Sequence, residues 1–290
     1  ANFKNFILTI IYSISYTSFA LPGLPAMTAA DFERAGRLIR LRAGLVLGNH
    51  KEDMTARNLG LNAKRLGMGS VGEYLDHLER QPESAEWDKF ISIFTINHTA
   101  FYREQHHFDI LAKFVKERQK PISVWSSTCS TGEEAYSIAI TLLEAVAAPE
   151  NSVSVLATDI DTDAVKRAEQ GVFTLDRVQP VPAHLLKKYF RRGTGRYEGK
   201  AKVKPHLHAA VQFGVVNLVS EEGWPHGQLF DAIFCRNTMI YFDKPTQTKL
   251  LARFAKSLKP GGLLFVGHSE NFSQMTRDFK LQGQTVYVRV

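Results

Sequence analysis

Cysteine is scarce in this sequence, and that scarcity limits the chemistry open to it. The chain has 290 residues and only two cysteines, Cys129 and Cys235. Two thiols cannot form a disulfide framework or a structural zinc site, so a reducing, cytosolic environment is expected. No Cys/His cluster has the spacing of a metal site, and we therefore expect no bound metal.

Glycine and proline are not abundant, and neither repeats nor low-complexity segments occur. With 20 Gly, 11 Pro, 44% hydrophobic and 22% charged residues, the composition excludes disordered, collagen-like and fibrous chains. The net charge of +7 is concentrated in two stretches. Residues 34–65 hold eight lysines and arginines against two acids, and residues 177–204 hold nine against one.

The first 27 residues differ from the rest, because no charged residue occurs from Asn5 to Ala30. The run Phe6–Leu21 is apolar, but seven of its sixteen positions are Ser, Thr or Tyr, which is unsuitable for a membrane span. We expect residues 1–27 to be an extension that arises from upstream translation, with Met27 as initiator. A natural extension and a targeting segment are the alternatives.

Helical periodicity dominates the next segment, and we predict an all-helical domain over residues 28–100. Thr28 with Asp31, and Ser70 with Glu73, have the spacing of capping boxes. Lys51–Leu66 is predicted as a basic helix within this domain.

From Pro121 onward, short apolar strands alternate with amphipathic helices. This alternation predicts a doubly wound α/β domain over residues 101–290, with a parallel sheet covered on both faces. The last twelve residues alternate in polarity and predict an antiparallel hairpin at the sheet edge. Residues 187–213 carry three glycines among alternating basic and apolar residues, which indicates a small β-insertion.

Ligands of such sheets bind beyond the carboxyl ends of the strands. The loop after the first strand, Ser126–Glu134, has one glycine before a helix, so a dinucleotide-binding motif is not indicated. Within it, Glu134 could either form a capping box with Thr131 or bind a ligand. Asp159 ends the second strand, where a carboxylate typically holds a ribose.

Two further readings of these loops are weaker. The acidic run that starts at Asp159 resembles a calcium loop, but Ala164 and Gln170 stand at its sixth and twelfth positions, so we reject calcium. Asp161 or Asp163 is instead expected to support the next helix.

His106 and His107 are adjacent, so their side chains should point in different directions, and we expect both to be solvated.

Lys259-Pro-Gly-Gly262 before a strand, together with the terminal hairpin, resembles the class I S-adenosylmethionine-dependent methyltransferases. An ordered set of motifs then resembles the chemotaxis receptor methyltransferase family, CheR, from about Ala29 to the C-terminus. The motifs are Asn97-His-Thr-Ala-Phe-Tyr-Arg-Glu104, Ser130-Thr-Gly-Glu-Glu134, Ala157-Thr-Asp-Ile-Asp161, Phe234-Cys-Arg-Asn-Thr-Met-Ile-Tyr-Phe-Asp243 and Gly267-His-Ser-Glu-Asn-Phe272. Ala135 departs from the family, where a proline is expected.

The resemblance implies methyl transfer from S-adenosyl-L-methionine to glutamate carboxylates of chemoreceptors, with S-adenosyl-L-homocysteine as product. It implies Arg103 and Tyr241 as the residues that orient the substrate. Arg236 has a structural alternative, since it could brace the strand ends through a buried ion pair. The cofactor contacts implied by the family are Asn97, Thr99, Arg103, Glu134, Asp159, Asn217, Leu218, Arg236 and Asn237.

The resemblance also implies a cytoplasmic, monomeric enzyme that acts on the cytoplasmic domain of chemoreceptors without membrane insertion. Charge complementarity suggests that Arg57, Lys64 and Arg65 face glutamate-rich receptor helices. Some family members hold a receptor tail peptide by strand addition, and the turn formed by Arg192, Gly193, Thr194 and Gly195 resembles theirs. A solvated basic surface is the alternative for both.

Two other functions share this fold. A nucleic-acid methyltransferase would suit the basic charge, but Arg236 to Tyr241 replaces the Asn/Asp-Pro-Pro-aromatic segment that such enzymes usually need, so we expect no nucleic acid as partner. An adaptor that binds the cofactor without transferring methyl groups is the second alternative. Cys129 and Cys235 are expected to pack beside the cofactor rather than act as nucleophiles.

Overall fold

The computed structural model describes residues 23–118, 120–146 and 152–290. The chain separates into two compact units, with the division between Thr95 and Ile96. Most of the extension predicted at residues 1–27 lies outside the described residues.

In its described part, residues 23–95, the first unit contains four α-helices: α1 (Ala29–Ala43), α2 (Glu52–Arg65), α3 (Val71–Arg80) and α4 (Glu86–Phe94). The predicted capping box of α1 is confirmed, because the Thr28 hydroxyl accepts from Asp31 N while the Asp31 carboxylate accepts from Thr28 N. Ser70 caps α3 by accepting from Glu73 N at 3.2 Å. These bonds satisfy amide groups that the first turn of a helix leaves without partners.

The second unit is built around a seven-stranded mixed sheet. Its strands are β1 (Ile122–Ser126), β2 (Val153–Asp159), β6 (Val211–Val215), β7 (Phe230–Phe234), β8 (Leu258–Phe265), β9 (Phe279–Gly283) and β10 (Val286–Arg289). The strand order is β6-β2-β1-β7-β8-β10-β9. The first five strands of this order are parallel, and β10 pairs antiparallel with both β8 and β9. The predicted doubly wound sheet with a terminal hairpin is therefore confirmed.

The main helices of this unit are α5 (His106–Lys116), α6 (Glu133–Ala145), α7 (Thr162–Gln170) and α11 (Lys244–Ser257). The sequence analysis did not predict α5, although Phe108, Leu111 and Val115 recur at helical spacing and are buried. The helix α6 is the most deeply buried, with all residues from Glu133 to Leu142 in the interior.

The interruption of the α/β pattern forms a separate three-stranded antiparallel sheet. It contains β3 (Val172–Thr174), β4 (Phe190–Arg192) and β5 (Lys200–Val203), in the order β3-β5-β4. Three short helices, α8 (Leu175–Val178), α9 (Ala183–Tyr189) and α10 (Pro205–His208), flank these strands. The insertion was predicted at residues 187–213, but its sheet begins at Val172, because β3 pairs with β5. The sheet ends at Val203, because the next strand, β6, belongs to the main sheet.

Candidate active site

The order of the strands reverses between β1 and β7. The polar loops of the sequence analysis follow the carboxyl ends of the strands at this position. Asp159 is the last residue of β2, and the loop after β1 leads into α6. In an open α/β sheet this edge is where a ligand binds.

The Asp159 carboxylate is held by the backbone. Oδ2 accepts from Ser130 N at 2.8 Å and Oδ1 accepts from Asp161 N at 3.0 Å. Burial raises the pKa of Asp159 to about 6. Each carboxylate oxygen has a second lone pair, so the group can still accept hydrogen bonds from a ribose diol.

Asn97 joins the segment before α5 to this edge of the sheet. Its Nδ2 donates to Asp161 Oδ2 at 2.7 Å, and its Oδ1 accepts from Ser130 Oγ at 3.0 Å. Asp161 also caps α7, because its Oδ1 accepts from the amides of Asp163 and Ala164. The expectation that Asp161 supports the next helix is thus confirmed.

Arg236 follows β7 and lies between two carboxylates. Its Nη1 donates to Glu134 Oε2 at 3.0 Å, its Nη2 is 3.4 Å from Glu104 Oε2, and it also donates to the carbonyl of Arg103. The second Glu134 oxygen accepts from Ser126 Oγ at 2.8 Å. The structural alternative given for Arg236, a buried ion pair that braces the strand ends, is present.

The alternative capping role of Glu134 is wrong. Gly132 is the residue that precedes α6, and the Thr131 hydroxyl donates to Glu133 rather than capping the helix. The reason is that the Thr131 hydroxyl is already engaged, since it also accepts from Arg177 Nη2 at 3.0 Å. Glu134 is instead buried, and burial raises its pKa while Arg236 opposes that change.

Arg103 differs from Arg236 in its partners. Its guanidinium donates to the carbonyl of His98 at 2.8 Å, and within the described part of the chain no carboxylate lies at ion-pair distance from it. Thr99 is half-buried in the same segment. Tyr241 is also half-buried and ends a short 3-10 turn. Its backbone N–H donates to the carbonyl oxygen of Thr238.

Asn217 and Leu218 follow β6, as predicted. The Asn217 side chain accepts from Val219 N at 3.2 Å, and the Leu218 carbonyl accepts from Arg253 Nη1 at 2.7 Å. Arg253 comes from α11 and stacks on Trp224 at 3.8 Å. Arg253 therefore links α11 to the segment after β6, a contact the sequence analysis missed because α11 is distant along the chain.

Glu270 is a second residue that the sequence analysis missed. It is buried and accepts from Asn237 N at 3.0 Å, from Ile240 N at 3.3 Å and from Gly267 N. A Cβ on Gly267 would lie 2.7 Å from Asn237 N, so glycine is needed for this close approach. The motif Gly267–Phe272 carried the signal, but nothing in it reveals that its glutamate binds backbone amides.

The expectation that both histidines are solvated is wrong for His107. This side chain is fully buried, because it lies on the inner face of α5, and its ring packs edge-on against Phe265 at 5.4 Å. Burial, followed by the charge of Arg236, lowers the pKa of His107 to about 4. The ring is therefore neutral at pH 7.

The residues predicted to contact a partner lie at the surface. Arg57 and Lys64 are exposed on α2, where Lys64 also donates to the carbonyl of Gly23 at 2.9 Å, and Arg65 pairs with Glu86. Arg192 ends β4 and is exposed, and Gly193 and Gly195 lie in the connection to β5.

Thr128 Oγ1 and Arg236 Nε are among the buried polar atoms at this edge that have no hydrogen-bond partner within the described residues. Such atoms are costly unless a ligand or water satisfies them. Together with the Asp159 carboxylate, they fit a polar ligand that carries a ribose and an amino acid group.

Comparison with known families decides the assignment. The model of the CheR methyltransferase SAM binding domain matches residues 97–288, and that of the CheR methyltransferase all-alpha domain matches residues 30–95. The chain belongs to the CheR methyltransferase family. It is accordingly a methyltransferase of chemotaxis whose cofactor is S-adenosylmethionine.

Curated relatives agree with this assignment. The chain is 50% identical to a chemotaxis protein methyltransferase of Klebsiella aerogenes, with 90% of each chain covered. It is 48% identical to one of Salmonella typhimurium and 45% identical to one of Escherichia coli, each over 90% of this chain and 91% of the relative. Among the described residues, no helix combines the length and apolar character that crossing a membrane requires.

Proposed function

We propose that the chain transfers the methyl group of S-adenosylmethionine to glutamate side chains in the cytoplasmic domain of chemoreceptors. The products are glutamyl methyl esters and S-adenosyl-L-homocysteine. The names of the curated relatives, chemotaxis protein methyltransferases, support a chemotaxis substrate.

The difference between Arg103 and Arg236 carries the proposal. Glu134 and Glu104 balance the charge of Arg236, so this arginine holds the pocket together and has little attraction left for a further anion. The Arg103 guanidinium bonds only to a carbonyl in the described structure and remains available to a carboxylate. A guanidinium binds a carboxylate through two parallel hydrogen bonds, which fixes its orientation.

The chain needs no general base for this reaction. A glutamate side chain has a reference pKa of about 4.3, so the acceptor is ionised at pH 7. The bound cofactor supplies an electrophilic methyl group. Arg103 and Tyr241 align the acceptor carboxylate with it, and such alignment can lower a barrier by roughly 7–11 kcal/mol.

In this proposal, Asp159 holds the ribose diol, Asn217 and Leu218 meet the adenine, and Glu134 accepts from the α-amino group. Arg103 lies near the cofactor carboxylate as well as the acceptor. Asn97, Thr99, Arg236 and Asn237 complete the predicted cofactor contacts.

Two surfaces suit a receptor. The exposed cations of α2, Arg57 and Lys64, complement glutamate-rich helices. Strand β4 is an edge of the three-stranded sheet, and an edge strand can pair with an extended peptide. Binding of a receptor tail there, a monomeric state, a cytoplasmic location and the exclusion of nucleic acid are parts of the same proposal.

Transfer of a tritiated methyl group to receptor-containing membranes, followed by mild base, tests this proposal. Carboxyl methyl esters release volatile methanol in base, whereas N-methyl groups on nucleic acid or lysine do not. Base-labile counts in the receptor fraction would support the proposal. Base-stable counts, or cofactor binding without transfer, would favour a nucleic-acid methyltransferase or an adaptor instead.

A further inference from the structure

We propose that Glu104, His106 and His107 form a binding site for a divalent transition-metal ion, with zinc as the best fit. One ligand atom from each side chain lies within 4.8 Å of the other two. The two imidazole rings are close, with centroids 4.2 Å apart. Two nitrogens and one carboxylate oxygen, with a fourth position open to water, form a ligand set that zinc prefers.

The hydrogen bonds of His107 fix which ring nitrogen carries the proton. Its Nε2 lies 3.1 Å from the carbonyl oxygen of Gln284 and 3.1 Å from Thr285 Oγ1. The Thr285 hydroxyl donates to that same carbonyl at 2.6 Å, so both neighbours of Nε2 act as acceptors. A ring with one proton therefore carries it on Nε2, and Nδ1 presents a lone pair.

A carboxylate oxygen lies close to Nδ1. His107 Nδ1 is 3.5 Å from Glu104 Oε2, and both atoms are buried without a hydrogen-bond partner in the described structure. Two acceptors at this distance repel each other, and a cation bound between them would replace that repulsion with attraction. Zinc bonds of about 2.0–2.2 Å at tetrahedral angles place neighbouring ligand atoms about 3.4 Å apart, which matches this separation.

Neighbouring groups orient the His107 and Glu104 side chains, as the outer shell of a metal site orients its ligands. A ligating histidine usually donates its other ring N–H to a carbonyl or carboxylate, as His107 does to Gln284. The other Glu104 oxygen is near Asn237 Nδ2 at 3.5 Å and His268 N at 3.4 Å. A metal on Oε2 would leave both of these contacts in place.

The positive charge of Arg236 opposes the binding of a cation, because its Nη2 lies 3.4 Å from Glu104 Oε2. Its stronger ion pair, at 3.0 Å, joins Nη1 to Glu134 Oε2 and does not involve Glu104. The nearby positive charge nevertheless weakens attraction for a cation, and we expect micromolar rather than tighter affinity.

The test uses the full chain, stripped of metal by a chelator and titrated with zinc chloride alone by calorimetry. We expect one equivalent to bind in the micromolar range, and Glu104→Gln and His106→Asn each to weaken binding at least tenfold. His226→Asn is the matched control, because His226 and Glu221 form an exposed pair at 3.9 Å, and it should bind as the unaltered chain does. Thermal unfolding without metal verifies that the variants are folded.

Cobalt substitution gives a second measurement that does not depend on the variants. Cobalt bound by two imidazoles and a carboxylate in tetrahedral geometry absorbs strongly in the visible range, and excess zinc should remove that absorption. Absence of a stoichiometric zinc isotherm, equal affinity in both site variants, or a cobalt spectrum of the hydrated ion would overturn the proposal.

Discussion

At the scale of single residues, the pocket distributes charge unevenly between its two arginines. Arg236 is buried between Glu104 and Glu134, and its ion pairs join the segment before α5 to the loop after β7. Removing one partner of such a pair leaves an uncompensated buried charge, so the three side chains act as a unit. Arg103, half-buried and without a carboxylate partner in the described chain, is the residue that we propose binds the substrate anion.

We predict that Asp159→Ala weakens cofactor affinity at least about tenfold, because two hydrogen bonds to the ribose of about 1 kcal/mol each are lost. Isothermal titration calorimetry with S-adenosylmethionine measures the change. Asp163→Ala is the matched control, since Asp163 lies in the first turn of α7 and pairs with Lys166 at 3.9 Å. Unchanged affinity in Asp159→Ala would remove this residue from the site.

Cofactor affinity should also depend on pH, because burial raises the pKa of Asp159 to about 6. The ionised carboxylate accepts from both ribose hydroxyls, whereas protonation removes one acceptor. Affinity should therefore rise with pH through about 6 and level off above it, with binding about tenfold weaker at pH 5 than at pH 7.5. Calorimetry across this range tests the prediction, and an equally steep profile in Asp159→Asn would contradict it.

Arg103→Ala should reduce turnover roughly a hundredfold while changing cofactor affinity far less, because the acceptor carboxylate loses its alignment. Initial rates of methyl transfer and calorimetry on the same protein separate the two effects. Arg103→Lys should recover only part of the rate, since an ammonium lacks the planar geometry. Equal losses of rate and affinity would make Arg103 a cofactor ligand only.

At the scale of elements, the three-stranded sheet is attached to the loop before α6. Arg177 of α8 donates to Thr131 Oγ1 at 3.0 Å and pairs with the buried carboxylate of Glu133. The sheet and the loop before α6 are thus fixed to each other, although they are far apart along the chain.

Deleting residues 193–195 should abolish binding of a receptor tail peptide and leave cofactor affinity intact. Gly193 N donates to Lys200 O at 2.8 Å, and a Cβ at this position would lie 2.0 Å from the carbonyl oxygen of Tyr197, so the connection between β4 and β5 depends on it. Fluorescence anisotropy with a labelled peptide measures the loss. Should the intact chain fail to bind such a peptide at about tens of micromolar, strand addition at β4 is wrong.

At the scale of the whole molecule, alternation of strands and helices predicted the second unit well. The position of Asp159 at the end of a strand was predictable, and the caps Thr28, Ser70 and Asp161 follow from local spacing. These features depend on neighbours within a few residues, which a sequence displays directly.

Features that depend on distant contacts could not be predicted. The acidic partners of Arg236 lie 132 and 102 residues before it, and Arg253 reaches Leu218 from another element. The pairing of β3 with β5 likewise joins separated segments, so the limits of the small sheet were misplaced. Burial of His107 required knowledge of α5 and of the hairpin turn at Gln284.

Mapping the methylated residues tests the central claim most directly. A receptor cytoplasmic domain is incubated with the chain and S-adenosylmethionine, digested, and analysed by tandem mass spectrometry. We predict methyl groups on glutamate side chains only, with no modification when those glutamates are replaced by aspartate, whose carboxylate is one methylene shorter. Methylation of lysine, arginine or a backbone terminus would contradict the account. So would the absence of any methylated residue in the receptor when the enzyme is intact and binds the cofactor.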